Sequence, residues 1–146
     1  MRRPLGLMIG FLFLASTAFA GNFKGEIIAT TVLNSDPTIV SGTMHVEDAT
    51  DLTFFVTYDE TEVGNSVSAA VTLLVSYDGT NFLAANFYDY AGGSTLQTTE
   101  TLSTDGRYYF VLDPNVPAPY VKVTITGTNT DADDTVAVTC NVFGKQ

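Results

Sequence analysis

VTLLVSYDGTNFLAANFYDY, residues 71–90, reads as strand, turn, strand. Val71, Leu73 and Val75 fall on one side of a period-two alternation, the pattern of a strand that buries one face. Asp78-Gly79-Thr80-Asn81 reads as a tight hairpin turn. Glycine accepts positive φ there, and Asp and Asn bond their own backbone. Phe82–Tyr90 then resumes an extended, aromatic-rich run.

The same grammar extends in both directions. Upstream, strands are expected at Gly25–Leu33, Ile39–Val46 and Leu52–Tyr58, with Asn34-Ser35-Asp36-Pro37 as a breaker. Leu52, Phe54, Val56 and Tyr58 alternate with Thr53, Phe55 and Thr57. The first strand of the quoted pair is expected over Ala69–Tyr77. Downstream, strands are expected at Ser94–Thr101, Arg107–Leu112, Tyr120–Thr126 and Thr135–Phe143. Asp105-Gly106 reads as a second hairpin turn, and Pro114, Pro117 and Pro119 stiffen the loop before Tyr120. No stretch after Gly21 carries apolar residues at helical spacing. The reading is an all-β, antiparallel sandwich of about nine short strands, jelly-roll or immunoglobulin-like.

Residues 1–20, MRRPLGLMIGFLFLASTAFA, have a different grammar. Arg2 and Arg3 precede an apolar run from Leu5 to Ala15, and Ala18-Phe19-Ala20 is a small-x-small cleavage site. That is the order of a secretory signal peptide, and the run is shorter than the ~20 residues of a spanning helix. Residues 21–146 are therefore expected as one exported domain, secreted, on the cell surface or in the periplasm. No second apolar run suggests membrane insertion after cleavage. Removal of the leader leaves 126 residues with four basic and sixteen acidic side chains, a balance of −12. A chain so acidic lacks the basic footprint that nucleic acid requires.

Special chemistry is sparse. One Cys excludes an internal disulfide framework and any Cys-based metal site. Cys140 falls in phase with Val136, Val138 and Val142, so a buried position on a core face is expected. The lone His45 near a strand end reads as a surface residue, and no G-x-S-x-G nucleophile motif is present. Asn129, Asp131, Asp133 and Asp134 form the densest oxygen-bearing cluster, a calcium-ligand candidate set on one loop. The competing reading is a solvated turn that caps its own backbone. Asp59-Glu60-Thr61-Glu62 reads as a charged loop. Tyr88 and Tyr90 share a strand face, a candidate surface for a sugar ring or a partner subunit.

The series ATTVLNSDPTIVSG, DLTFFVTY, VTLLVSYDGTNFLAANF, TDGRYYFVL and PYVKVTITGT resembles the small single-domain β-sandwiches of phage virion and other prokaryotic surface proteins. VSYDGTNF with PYVKVTITG is also similar to discoidin-like carbohydrate-binding sandwiches. The first resemblance implies a structural protein, and the export signal turns it toward a secreted or cell-surface relative. Together these features suggest a non-enzymatic structural subunit that self-assembles or coats a surface, with no required cofactor. Gly21–Leu33 is the segment expected to reach a neighbouring copy as an added strand. The alternative is an extracellular ligand-binding module, carbohydrate-binding and calcium-assisted.

Overall fold

The computed structural model of the chain describes residues 23–46, 49, 51–90, 95–116 and 119–145. The expected leader and the Gly92-Gly93 pair lie outside them. In chain order the strands are β1 (Phe23–Leu33), β2 (Thr38–Val40), β3 (Met44–His45) and β4 (Asp51–Thr61), then β5 (Ser68–Ser76), β6 (Leu83–Ala84), β7 (Phe87–Asp89) and β8 (Thr95–Gln97), and finally β9 (Thr99–Leu102), β10 (Gly106–Leu112), β11 (Tyr120–Thr128) and β12 (Thr135–Lys145). All their pairings are antiparallel. They form two six-stranded sheets, a larger one of longer strands ordered β1-β12-β4-β10-β7-β8 and a smaller one of shorter strands with the path β2-β11-β5-β6. β3 also pairs with β11, and β9 with β5. The fold is an all-β sandwich.

Period-two patterning explains the interior. Val71, Leu73, Val121, Val123 and Ile125 of the smaller sheet meet Phe54, Val56, Phe110, Val138, Cys140 and Val142 of the larger, all at most 1% exposed. Each strand buries alternate residues, which is how two sheets share one apolar layer. Phe87 packs edge-on against Phe110, ring centroids 5.1 Å apart. Cys140 is fully buried, and that burial pushes its thiol up to about 12.

Three expected strands are each split in two, and the cause differs from case to case. Within 39–46 the chain stays on β11 but breaks register at Ser41. The Ser41 amide donates to the Val123 carbonyl, and the Ser41 hydroxyl accepts from the Val123 amide, each at 2.9 Å. The side chain stands in for a ladder carbonyl. Within 82–90 the chain changes sheets: β6 pairs with β5, whereas β7 pairs with β10. The handover lies at Ala85, whose amide still reaches Leu73, and Asn86, whose carbonyl accepts from Asp113. Between Gln97 and Thr99 the chain crosses back, from β7 to β5.

Asp105-Gly106 does not close a hairpin. β9 belongs to the smaller sheet and β10 to the larger, so this turn is an inter-sheet passage. The Asp78–Asn81 turn does join two paired strands, and Gly79 adopts φ 72° there. Its loop is held by the Asp78 carboxylate, which accepts from the Thr80 and Asn81 amides, each at 2.8 Å. Those bonds, the Asn81 amide foremost, hold the Asp78 carboxyl well below the usual range. The segment expected to reach a neighbour is engaged with its own chain, since β1 runs along β12 from Phe23↔Gly144 to Leu33↔Val136. Register shifts after Glu26 and after Ile28 distort β1, a device that blunts an exposed sheet edge.

Candidate interaction surface

The outward residues of the larger sheet follow from its register. One row runs Lys24, Phe143, Thr53, Val111, Tyr88 and Leu96. The row beside it runs Glu26, Asn141, Phe55 and Tyr109. Tyr90, just past β7, joins this second row by stacking on Tyr109, with centroids 5.6 Å apart and planes 14° from parallel. Tyr109 in turn meets Phe55 at 6.3 Å. Phe55, Tyr90, Leu96, Tyr109 and Phe143 are each between 36% and 51% exposed. Singly, exposed apolar residues are ordinary; a contiguous set marks an interaction surface.

A groove of about 500 Å³ opens in this face, lined by Lys24, Phe55, Asn141, Val142 and Phe143. Its walls are flat rings and its polar groups are the Lys24 ammonium and the Asn141 amide. Such a site can bury an apolar or ring-shaped group and donate hydrogen bonds to it. Both expected tyrosines lie on this face. Tyr88 is half-buried opposite Val111, and Tyr90 is exposed. Sequence reasoning missed Phe55, Tyr109 and Phe143 as its main members. Their signal was phase: each is a large ring beside a core residue (Phe54, Phe110, Val142), on the side where polar residues belong.

The outward face of the smaller sheet is different. Thr38, Thr72, Thr99, Thr124 and Thr126 populate it. Their hydroxyls pair across strands, Thr38 with Thr126 and Thr72 with Thr99, both at 3.0 Å. Lys122 lies over the Phe82 ring, 4.2 Å from its centroid. His45 is exposed and stacks on Tyr120 at 4.8 Å.

The acidic loop is a clasp within the fold. The Asp134 carboxylate is buried and turned toward the β4–β5 loop. It accepts from the Val63 amide, from Gly64 at 3.0 Å, from Asn65 at 3.1 Å and from the Asn65 side chain at 3.0 Å. The backbone bonds from Val63 and Gly64 lead the causes that hold its carboxyl below the usual range. Asp131 turns back on its own loop, accepting from the Asp133 and Asp134 amides at 2.9 and 2.8 Å. Asn129, at φ 59°, donates to the Ser66 carbonyl. Asp133 is exposed. The four residues therefore do not converge on a shared point. Among the described residues no three of His, Cys, Asp and Glu gather as a metal site would require.

The other acidic run is no free loop. Asp59, Glu60 and Thr61 belong to β4, Glu60 accepts from the Tyr58 hydroxyl at 2.8 Å, and Glu62 accepts from the Val67 amide at 3.0 Å. Across the clasp, Asp36 accepts from the Thr130 amide at 2.7 Å, and Thr130 accepts from the Asp36 amide at 2.7 Å. Three loops are thus tied together at one end of the sandwich.

No protein-family model matches the sequence, and no curated protein matches it either. Among solved structures, the fold is similar to that of the SPBc2 prophage-derived protein YomS, with a TM-score of 0.55 at 15% identity over 84% of this chain and 91% of YomS. At that identity the likeness concerns the fold: this chain has a phage-like β-sandwich.

Proposed function

We propose that the chain is an exported, non-enzymatic structural subunit that assembles with copies of itself or coats a surface. The observation that carries this reading is the contiguous aromatic face of the larger sheet, five side chains exposed where a soluble sheet would present polar groups. The prophage-derived neighbour supports it at the level of architecture, and the leader-like residues 1–20 support export. In this reading the acidic loop is structural and no cofactor is needed. Sedimentation and negative-stain microscopy of residues 21–146, with and without calcium, test it. Oligomers or ordered particles are expected. A monodisperse monomer at every concentration, with no particles, overturns it.

The second reading is a carbohydrate-binding module. The near-parallel Tyr90–Tyr109 pair beside the groove favours it, because flat rings of this kind stack on sugar faces. A glycan array with wild type and Tyr109→Ala decides: a signal lost in the variant supports it, and a blank array removes it.

A further inference from the structure

The four basic side chains left after leader removal are Lys24, Arg107, Lys122 and Lys145. Three of them lie on the aromatic face; Lys122 alone lies on the other sheet. The acids Glu26, Asp51 and Asp59 share the aromatic face, with Asp51 directly opposite Lys145 in register. Charge on this face therefore balances. Among the described residues, register places no other Asp, Glu, Lys or Arg on this face. Two copies of a protein carrying −12 repel one another over most approaches. Among the described residues both outward sheet faces avoid that penalty by register, and of the two it is the aromatic face that also carries exposed rings at its centre.

Size agrees with this. Strands about 4.8 Å apart, rising about 3.3 Å per residue, give the four long strands and their short neighbours an outward face on the order of 600–800 Å². A standard interface needs about 800 Å² from each partner. A twofold pairing uses the same patch on both copies, so a patch that is balanced in charge and apolar at its centre is suited to it. We propose that two copies of this chain pair aromatic face to aromatic face, with Phe55 and Tyr109 at the centre. This rests on the structural-subunit reading and names its contact.

Sedimentation velocity of residues 21–146 tests it, from about 1 μM to about 1 mM and in about 0.15 M and about 1 M NaCl. A dimer is expected whose affinity rises with salt, because screening weakens the repulsion between the acidic remainders. Tyr109→Glu should raise the dissociation constant at least about tenfold. Phe55→Ser, which adds no charge, should act in the same direction. Thr128→Glu, on the other sheet, should change it less than about twofold. A monomer throughout overturns the pairing. So does a dimer indifferent to both face variants, or one that salt dissociates. If ordered particles still form when both face variants are made, the pairing fails and the subunit reading stands. If wild type forms no particle or oligomer, both fail.

Discussion

The two outward faces of the sandwich are built on the same pleat and differ in what the polar phase carries. On the smaller sheet it carries threonines whose hydroxyls satisfy one another. On the larger sheet it carries Phe55, Tyr109, Phe143 and the Tyr88 and Tyr90 that flank them. Behind both faces lies the same aliphatic and aromatic core. Folding accounts for the inner residues of both sheets and for the threonine face. It gives no reason for a cluster of exposed rings, whereas among the described residues the threonine face carries a single exposed apolar side chain of that size, Val40; the proposed assembly rests on that difference.

The sharpest way to break this contrast is to cut the same strand on both sides. Phe54→Ala should cost about 3–5 kcal/mol of folding stability, whereas Phe55→Ala should stay within about 1 kcal/mol, both read by urea unfolding at low protein concentration. Equal costs would mean that Phe55 belongs to the core. A chemical version uses β12. Cys140 should be labelled by iodoacetamide at pH 8 about a thousandfold more slowly than the thiol of a Cys140→Ser, Asn141→Cys variant, because burial suppresses the thiolate.

The clasp sets the next scale. Asp134 has a carboxyl held low in the fold, so the unfolded chain takes up a proton that the folded chain refuses. Its contribution is present above the ordinary carboxylate value, about 4, and is lost as pH falls through the folded value. Wild type should lose melting temperature steeply below about pH 4. Asp134→Asn should melt lower at pH 7 and show a shallower acid slope. Parallel slopes would place the acid sensitivity elsewhere. On the threonine face, Thr72→Val should cost about 0.2–1 kcal/mol through the lost Thr99 pair and leave sedimentation unchanged. The smallest effect is calcium: about 5 mM should move the melting midpoint by less than about 1 °C, since no ligand set is assembled at 129–134.

Much of the fold was legible locally. The alternations at Leu52–Tyr58, Ala69–Tyr77 and Thr135–Phe143 mark strands that stay in one sheet, so a local period suffices. Phe82–Tyr90 and Ser94–Thr101 look equally continuous, yet each changes partner midway. At Phe82–Tyr90 the change leaves no trace in side-chain period, because Ala85, Phe87 and Asp89 keep one inward phase; at Ser94–Thr101 the inward phase slips by one, from Gln97 to Glu100, in a polar run where no apolar alternation marks it. The acidic loop misleads for a related reason: Asp134 bonds amides some seventy residues away, and spacing along the chain cannot show that. Two members of the aromatic face, Tyr88 and Tyr90, were visible in the sequence. Phe55, Tyr109 and Phe143 needed the register that aligns β12, β4 and β10.

The position of β12 has a consequence in time. It lies between β1 and β4, pairing Phe23 with Gly144 and Asp51 with Lys145. The larger sheet cannot close until β12 has left the ribosome. Even the shortest loop that seats this strand, from Thr61 to Thr135, spans about half of the chain, and contacts of such long range slow folding to about milliseconds or longer. Under the proposed export, late closure is an advantage: the polypeptide stays threadable for as long as β12 is missing.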